Sequence, residues 1–173
     1  MIQNFFIRLL QILALAVIQV LLFNHIHFMG YGLPLIYVAM LLYIPADANR
    51  NATMIWAFIM GMVMDMFANT AGLSSASLTL AALIQPVLLK ASLPKDALED
   101  MVPSYQTMGK WNHLRYLTIL LLVHHLAYFC LESFSFFNLI ELAIAAGTSF
   151  ASSWLIIVLI ETLRGQKQHN SGM

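Results

Sequence analysis

The chain has 173 residues, of which 61% are hydrophobic and 9% charged, with a mean hydropathy of +0.81. Soluble domains carry roughly 25% charged residues, so this chain cannot clothe a globular surface in charge and reads as an integral membrane protein. Eight Lys and Arg balance eight Asp and Glu, which excludes the basic surface of a nucleic-acid-binding protein.

A spanning helix needs roughly 20 mostly apolar residues. Six candidates occur in order, at about 5–23, 32–45, 52–69, 73–90, 114–132 and 138–161. The first run is followed by Asn24-His25-Ile26-His27 with no small-residue cleavage pattern, so it is expected to stay as a helix and not to be removed as a signal peptide. Pro34 is expected in the first turn of the second helix, where a missing N–H costs little. The third run carries a single carboxylate, Asp65, with Gly61 four residues earlier and Ala57 four before that, all on one helical face. Gly72 is expected to close that run, with Asn69 and Thr70 beside it. Pro86 is expected to kink the fourth helix or end it early.

Between the fourth and fifth runs, Pro94–Val102 has helix character and Pro103 stops it. The polar tail 165–173 is expected to lack structure, leaving one domain over residues 1–164. The basic residues Arg8, Arg50, Lys90, Lys95, Lys110, Arg115, Arg164 and Lys167 all fall on one side of a six-helix arrangement. The positive-inside rule makes that side cytoplasmic, with both termini inside. The fold expected is therefore an all-α polytopic bundle of six transmembrane helices, N-in and C-in.

An acid inside so apolar a run faces either other helices or a wet cavity; Asp65 is read as a bundle-interior residue in the outer half of the third helix. His124 and His125 are adjacent, hence about 100° apart on a helix, and cannot serve one metal. His25 and His27 fall in the first outer loop and are not expected to gather a metal with them; His124 and His125 are read as interhelical hydrogen-bonding groups. Gln11, Gln19 and Gln85 are read the same way, and Glu132, Glu141 and Glu161 as interface carboxylates. Ala143, Gly147 and Ala151 repeat a four-residue small-residue spacing that favours close helix approach. The one cysteine, Cys130, is expected to be a buried thiol. No phosphate-binding glycine loop, metal-ligand cluster or catalytic serine arrangement is legible, so neither an enzyme nor a cofactor is expected.

The segment Gly61-Met62-Val63-Met64-Asp65-Met66-Phe67, with Leu33-Pro34 opening the second helix and Gly72-Leu73 the fourth, resembles the MreD family of small multi-pass inner-membrane proteins. The resemblance runs to about Glu161 and includes a G-x-x-x-D signature at Gly61 and Asp65. It implies Gly61, Asp65, Gly72 and Pro34 as partner-binding or bundle-packing residues. It also implies a non-enzymatic role in lateral peptidoglycan synthesis and cell shape. An MreC-like partner is implied, in a bacterial cytoplasmic-membrane complex with MreB, RodA and a class B penicillin-binding protein. The family is similar in fold to the substrate-binding subunits of energy-coupling-factor vitamin transporters, which supplies the alternative function. That alternative would use Asp65, Glu132 and His25 to line an external pocket. The A-x-x-x-A pattern those subunits present on their first helix is missing, since Ala14 is followed by Ile18 and Ala16 by Val20.

Overall fold

The computed structural model describes residue 10 and residues 13–23, 32–93, 101–133 and 138–170. The expected helix at Pro94–Val102 lies mostly outside them, as do Arg8, Gln11, His25 and His27. Helix α1 is Leu13–Leu22 and closes in a π turn, Gln19–Phe23. A 3₁₀ segment follows at Ile36–Tyr43. The remaining helices are α2 (Arg50–Ala68), α3 (Leu73–Ser92), the one-turn α4 (Tyr105–Met108), α5 (Lys110–Glu132) and α6 (Leu139–Asn170). Four of these, α2, α3, α5 and residues 140–163 of α6, are long and apolar enough to cross a membrane.

Polarity is distributed inside-out. Gln19, Ser77, Gln85, His113, His124, Ser153 and Glu161 are buried, while Ile55, Met66, Leu126, Ile140 and Leu155 are exposed. Water would penalise such a surface, whereas hydrocarbon accepts it and demands that polar groups pair internally. Helix α3 lies at the centre, packed against both α2 and α5, and α6 packs on α5. The buried face of α3 is built from small residues, Ser74, Ser77, Ala81 and Ala82, so neighbouring backbones approach closely.

The second apolar run departs from expectation. It is not an α-helix over 32–45 but an eight-residue 3₁₀ segment, with Ile36 through Leu42 all buried. Two prolines explain it. Pro34 disfavours helix at Leu33, and Pro45 pushes Ile44 into the extended region, where it is found at φ −90° and ψ 124°. Pro34 itself lies in the non-helical lead-in and not in a first helical turn.

Three boundaries also shift. Helix α2 ends before Gly72: Asn69 takes the left-handed conformation at φ 53° and caps it, while Gly72, at φ 85°, becomes the N-cap of α3. Pro86 does not end α3, which continues to Ser92. Helix α6 runs through the expected tail to Asn170, as the absence of proline and the run of Leu, Arg, Gln and Lys allow. The one-turn α4 follows Pro103 and carries a capping box, Ser104 with Thr107.

Candidate interaction site

Asp65 sits in the last turn of α2, and its carboxylate closes the turn into α3. Thr70 donates its hydroxyl to Oδ1 at 2.6 Å, the Ser74 amide donates to Oδ1 at 2.8 Å, and the Ser75 amide donates to Oδ2 at 3.0 Å. The first amides of a helix have no intrahelical acceptor, and a carboxylate there also meets the positive end of the helix dipole. Gly72, as N-cap, offers no side chain for the purpose. Asp65 therefore does across the turn what a capping side chain does within a helix.

Gly61 makes that geometry possible. A Cβ at Gly61 would run into the Ser75 backbone, so only glycine lets the start of α3 lie against α2. Ala57, Gly61 and Asp65 form one buried face. The spacing read as G-x-x-x-D is thus a helical hairpin: closest approach at the glycine, and electrostatic closure one turn later at the aspartate. The expected G-x-x-x-D residues and Gly72 meet in this one place. Pro34 does not join them.

Pro34 belongs to a second cluster, which anchors the 3₁₀ segment. The Gln19 amide donates from Nε2 to the Pro34 carbonyl at 2.8 Å and accepts at Oε1 from the Ile36 amide at 2.8 Å. From α6, Ser149 accepts the Leu33 amide at 2.9 Å and Ser153 accepts the Leu35 amide at 2.8 Å. Non-helical backbone inside a membrane protein is tolerated only where protein groups satisfy it, and these three side chains do so. Ser149 and Ser153 were not singled out in the sequence. The available signal was two serines four residues apart in the most apolar helix.

The two adjacent histidines face different neighbours. His124 Nε2 lies 3.2 Å from the Ser77 hydroxyl, whose own proton is directed at the Leu73 carbonyl 2.7 Å away. Nε2 must then carry the hydrogen, and Nδ1 is a buried acceptor without a hydrogen-bond partner among the described residues. His125 is the opposite tautomer, because its Nδ1 can only donate to the Leu121 carbonyl at 2.8 Å; its Nε2 lies 3.2 Å from Ser153 Oγ, whose own proton is directed at the Ser149 carbonyl 2.6 Å away. The Tyr37 ring meets His124 edge-on at 5.3 Å between centroids, and its buried hydroxyl also lacks a hydrogen-bond partner among the described residues.

At the other end of the bundle, Glu161 is buried and lies 3.4 Å from His113, also buried. The expectation of a plain interface carboxylate does not hold for it. The Tyr105 ring tilts against His113 at 4.5 Å. Partial burial, reinforced by the Glu161 charge, pushes the Tyr105 hydroxyl above its ordinary range against a hydrogen bond with Thr162.

Two other expectations are corrected. Cys130 is exposed and not buried. The small residues Ala143 and Gly147 do not pack on another helix of the described chain; with His125, Phe129, Cys130 and Phe150 they border an open groove of about 370 Å³ between α5 and α6. Among the described residues no group of three metal-ligating side chains converges.

Comparison with protein-family models, with curated proteins and with solved structures returns no match for this chain.

Proposed function

We infer that this protein is a non-enzymatic membrane scaffold of the bacterial cell-elongation machinery, holding an MreC-like bitopic partner and supporting lateral peptidoglycan synthesis. The observation that carries the reading is the α2–α3 hairpin. The residues behind the MreD resemblance, Gly61, Asp65 and Gly72, form one structural unit with its polar capacity spent on itself. A carboxylate engaged by three donors serves packing better than solute capture, which favours the scaffold.

The chain crosses the cytoplasmic membrane six times with both termini inside. The second pass is the buried segment. Eight 3₁₀ residues rise ~16 Å, and the non-helical lead-in at Gly32–Leu35 lengthens the segment toward the ~30 Å hydrocarbon core.

The test is co-expression with an MreC-like reading frame encoded next to this chain, followed by affinity purification. Recovery of the partner with the wild-type protein is expected. Failure to recover it, together with retention of a vitamin, would sink the scaffold reading. The alternative, a substrate-binding subunit of a vitamin transporter, draws on one observation: Tyr37 and His124 bring uncommitted polar atoms to the bundle centre.

A further inference from the structure

Arg115 reaches from α5 to the end of α3 and donates through Nη2 to the Ala91 carbonyl at 3.2 Å. Lys90, the residue before Ala91, stands in the last turn of α3. Two cations thus stand at the end of the bundle where α3 ends and α5 begins. Arg115 spends one of five N–H donors on Ala91. Both side chains are exposed, and neither has an ion-pair partner among the described residues.

Trp111 lies one turn before Arg115 on the same face of α5 and is 83% exposed. Indoles with this exposure suit the headgroup depth of a bilayer. From this corner toward the bilayer centre the outward faces turn apolar, with Val87 and Leu80 on α3 and Ile119 and Leu122 on α5. Capping of α3 accounts for the Ala91 bond but not for the exposed indole or the remaining donors. The arrangement has the chemistry of a phospholipid: anion-binding groups at the boundary, an amphipathic ring beside them, apolar surface below. The cytoplasmic leaflet supplies the complementary negative charge.

We propose that the Lys90–Arg115–Trp111 corner binds an anionic phospholipid, with its phosphate on Arg115 and Lys90 and an acyl chain along Val87 and Ile119. The proposal rests on the membrane reading with this end cytoplasmic, and is independent of the scaffold role. Native mass spectrometry of the full chain in detergent measures it, using phosphatidylglycerol and phosphatidylcholine with identical acyl chains and, separately, inorganic phosphate.

Phosphatidylglycerol should bind at least tenfold tighter than phosphatidylcholine. Lys90→Gln and Arg115→Gln should each cut that preference about fivefold, while Arg115→Lys keeps most of it. Lys110→Gln, on another face of α5, should leave it unchanged. Equal binding of the two lipids overturns the site. So does an equal loss from Lys110→Gln, which would mean a diffuse field, and so does displacement of phosphatidylglycerol by equimolar phosphate. If Arg115→Gln does not fold, Lys90→Gln and Trp111→Ala decide. Lipid preference is read without a partner, so its failure is distinguishable from failure to bind an MreC-like protein.

Discussion

The Asp65 carboxylate accepts the Ser74 amide at 2.8 Å, so the last turn of one membrane helix caps the first turn of the next. The residue that looks most out of place in the apolar run is the one that fastens the hairpin. Its cost of burial is offset by three donors, two of them amides that would otherwise be orphaned.

Asp65→Ala should destabilise the protein by about 2–3 kcal/mol, the range expected for losing a cap and a charge-assisted hydrogen bond together. Asp65→Asn should cost less, because its one side-chain oxygen still accepts an amide. Thermal unfolding in detergent checks the order. An Ala variant as stable as the parent would remove the capping role.

Gly61 and Gly147 should respond oppositely to the same substitution. At Gly61 an added methyl meets the Ser75 backbone, whereas at Gly147 nothing lies within 4 Å. Gly61→Ala should cost about 1–3 kcal/mol through overpacking. Gly147→Ala should be neutral or slightly stabilising, since alanine is the better helix former. Equal effects on melting temperature would contradict the packing described here.

Ser153→Ala deprives the buried Leu35 amide of its acceptor and removes the hydroxyl that lies beside His125 Nε2. A loss of about 1–3 kcal/mol is expected for leaving buried polar groups unsatisfied. Amide exchange at Leu35 and Ile36 should accelerate before exchange in α3 does. Uniform acceleration across the bundle would instead indicate global loosening.

Nitrogen-15 spectra of ring-labelled protein in bilayers should show His124 with its hydrogen on Nε2 and His125 with its hydrogen on Nδ1. Ser77→Ala should broaden or shift only the His124 signal. Finding both rings in the same tautomer would overturn the assignment.

In a Cys130→Ser background, cysteine placed at Asn138 should label from outside and at Asp47 from inside, both positions being exposed. The reverse pattern would invert the proposed orientation.

The helices long and apolar enough to cross a bilayer were legible in the sequence, and the start of α3 at Leu73 coincides with its expected position. Composition and periodicity report such elements because each is stabilised within its own segment. The 3₁₀ segment was not legible, since its apolar residues look the same in either helix type, and its lead-in is held by side chains from residues 19, 149 and 153. The burial of Glu161 was not legible for a related reason: its partner, His113, is 48 positions away.

By itself the sequence determined that this chain must put apolar surface outward and that Asp65 must find partners, because 9% charged residues cannot make a water-facing surface and a buried acid cannot stand alone. Which partners it found, and that they lie only five to ten residues away, was decided by tertiary structure. The left-handed Asn69 and Gly72 fold α3 back along α2, and Gly61 lets the two backbones touch. Hydrogen bonding and steric fit act at ångström range, and a linear pattern does not state which groups come that close.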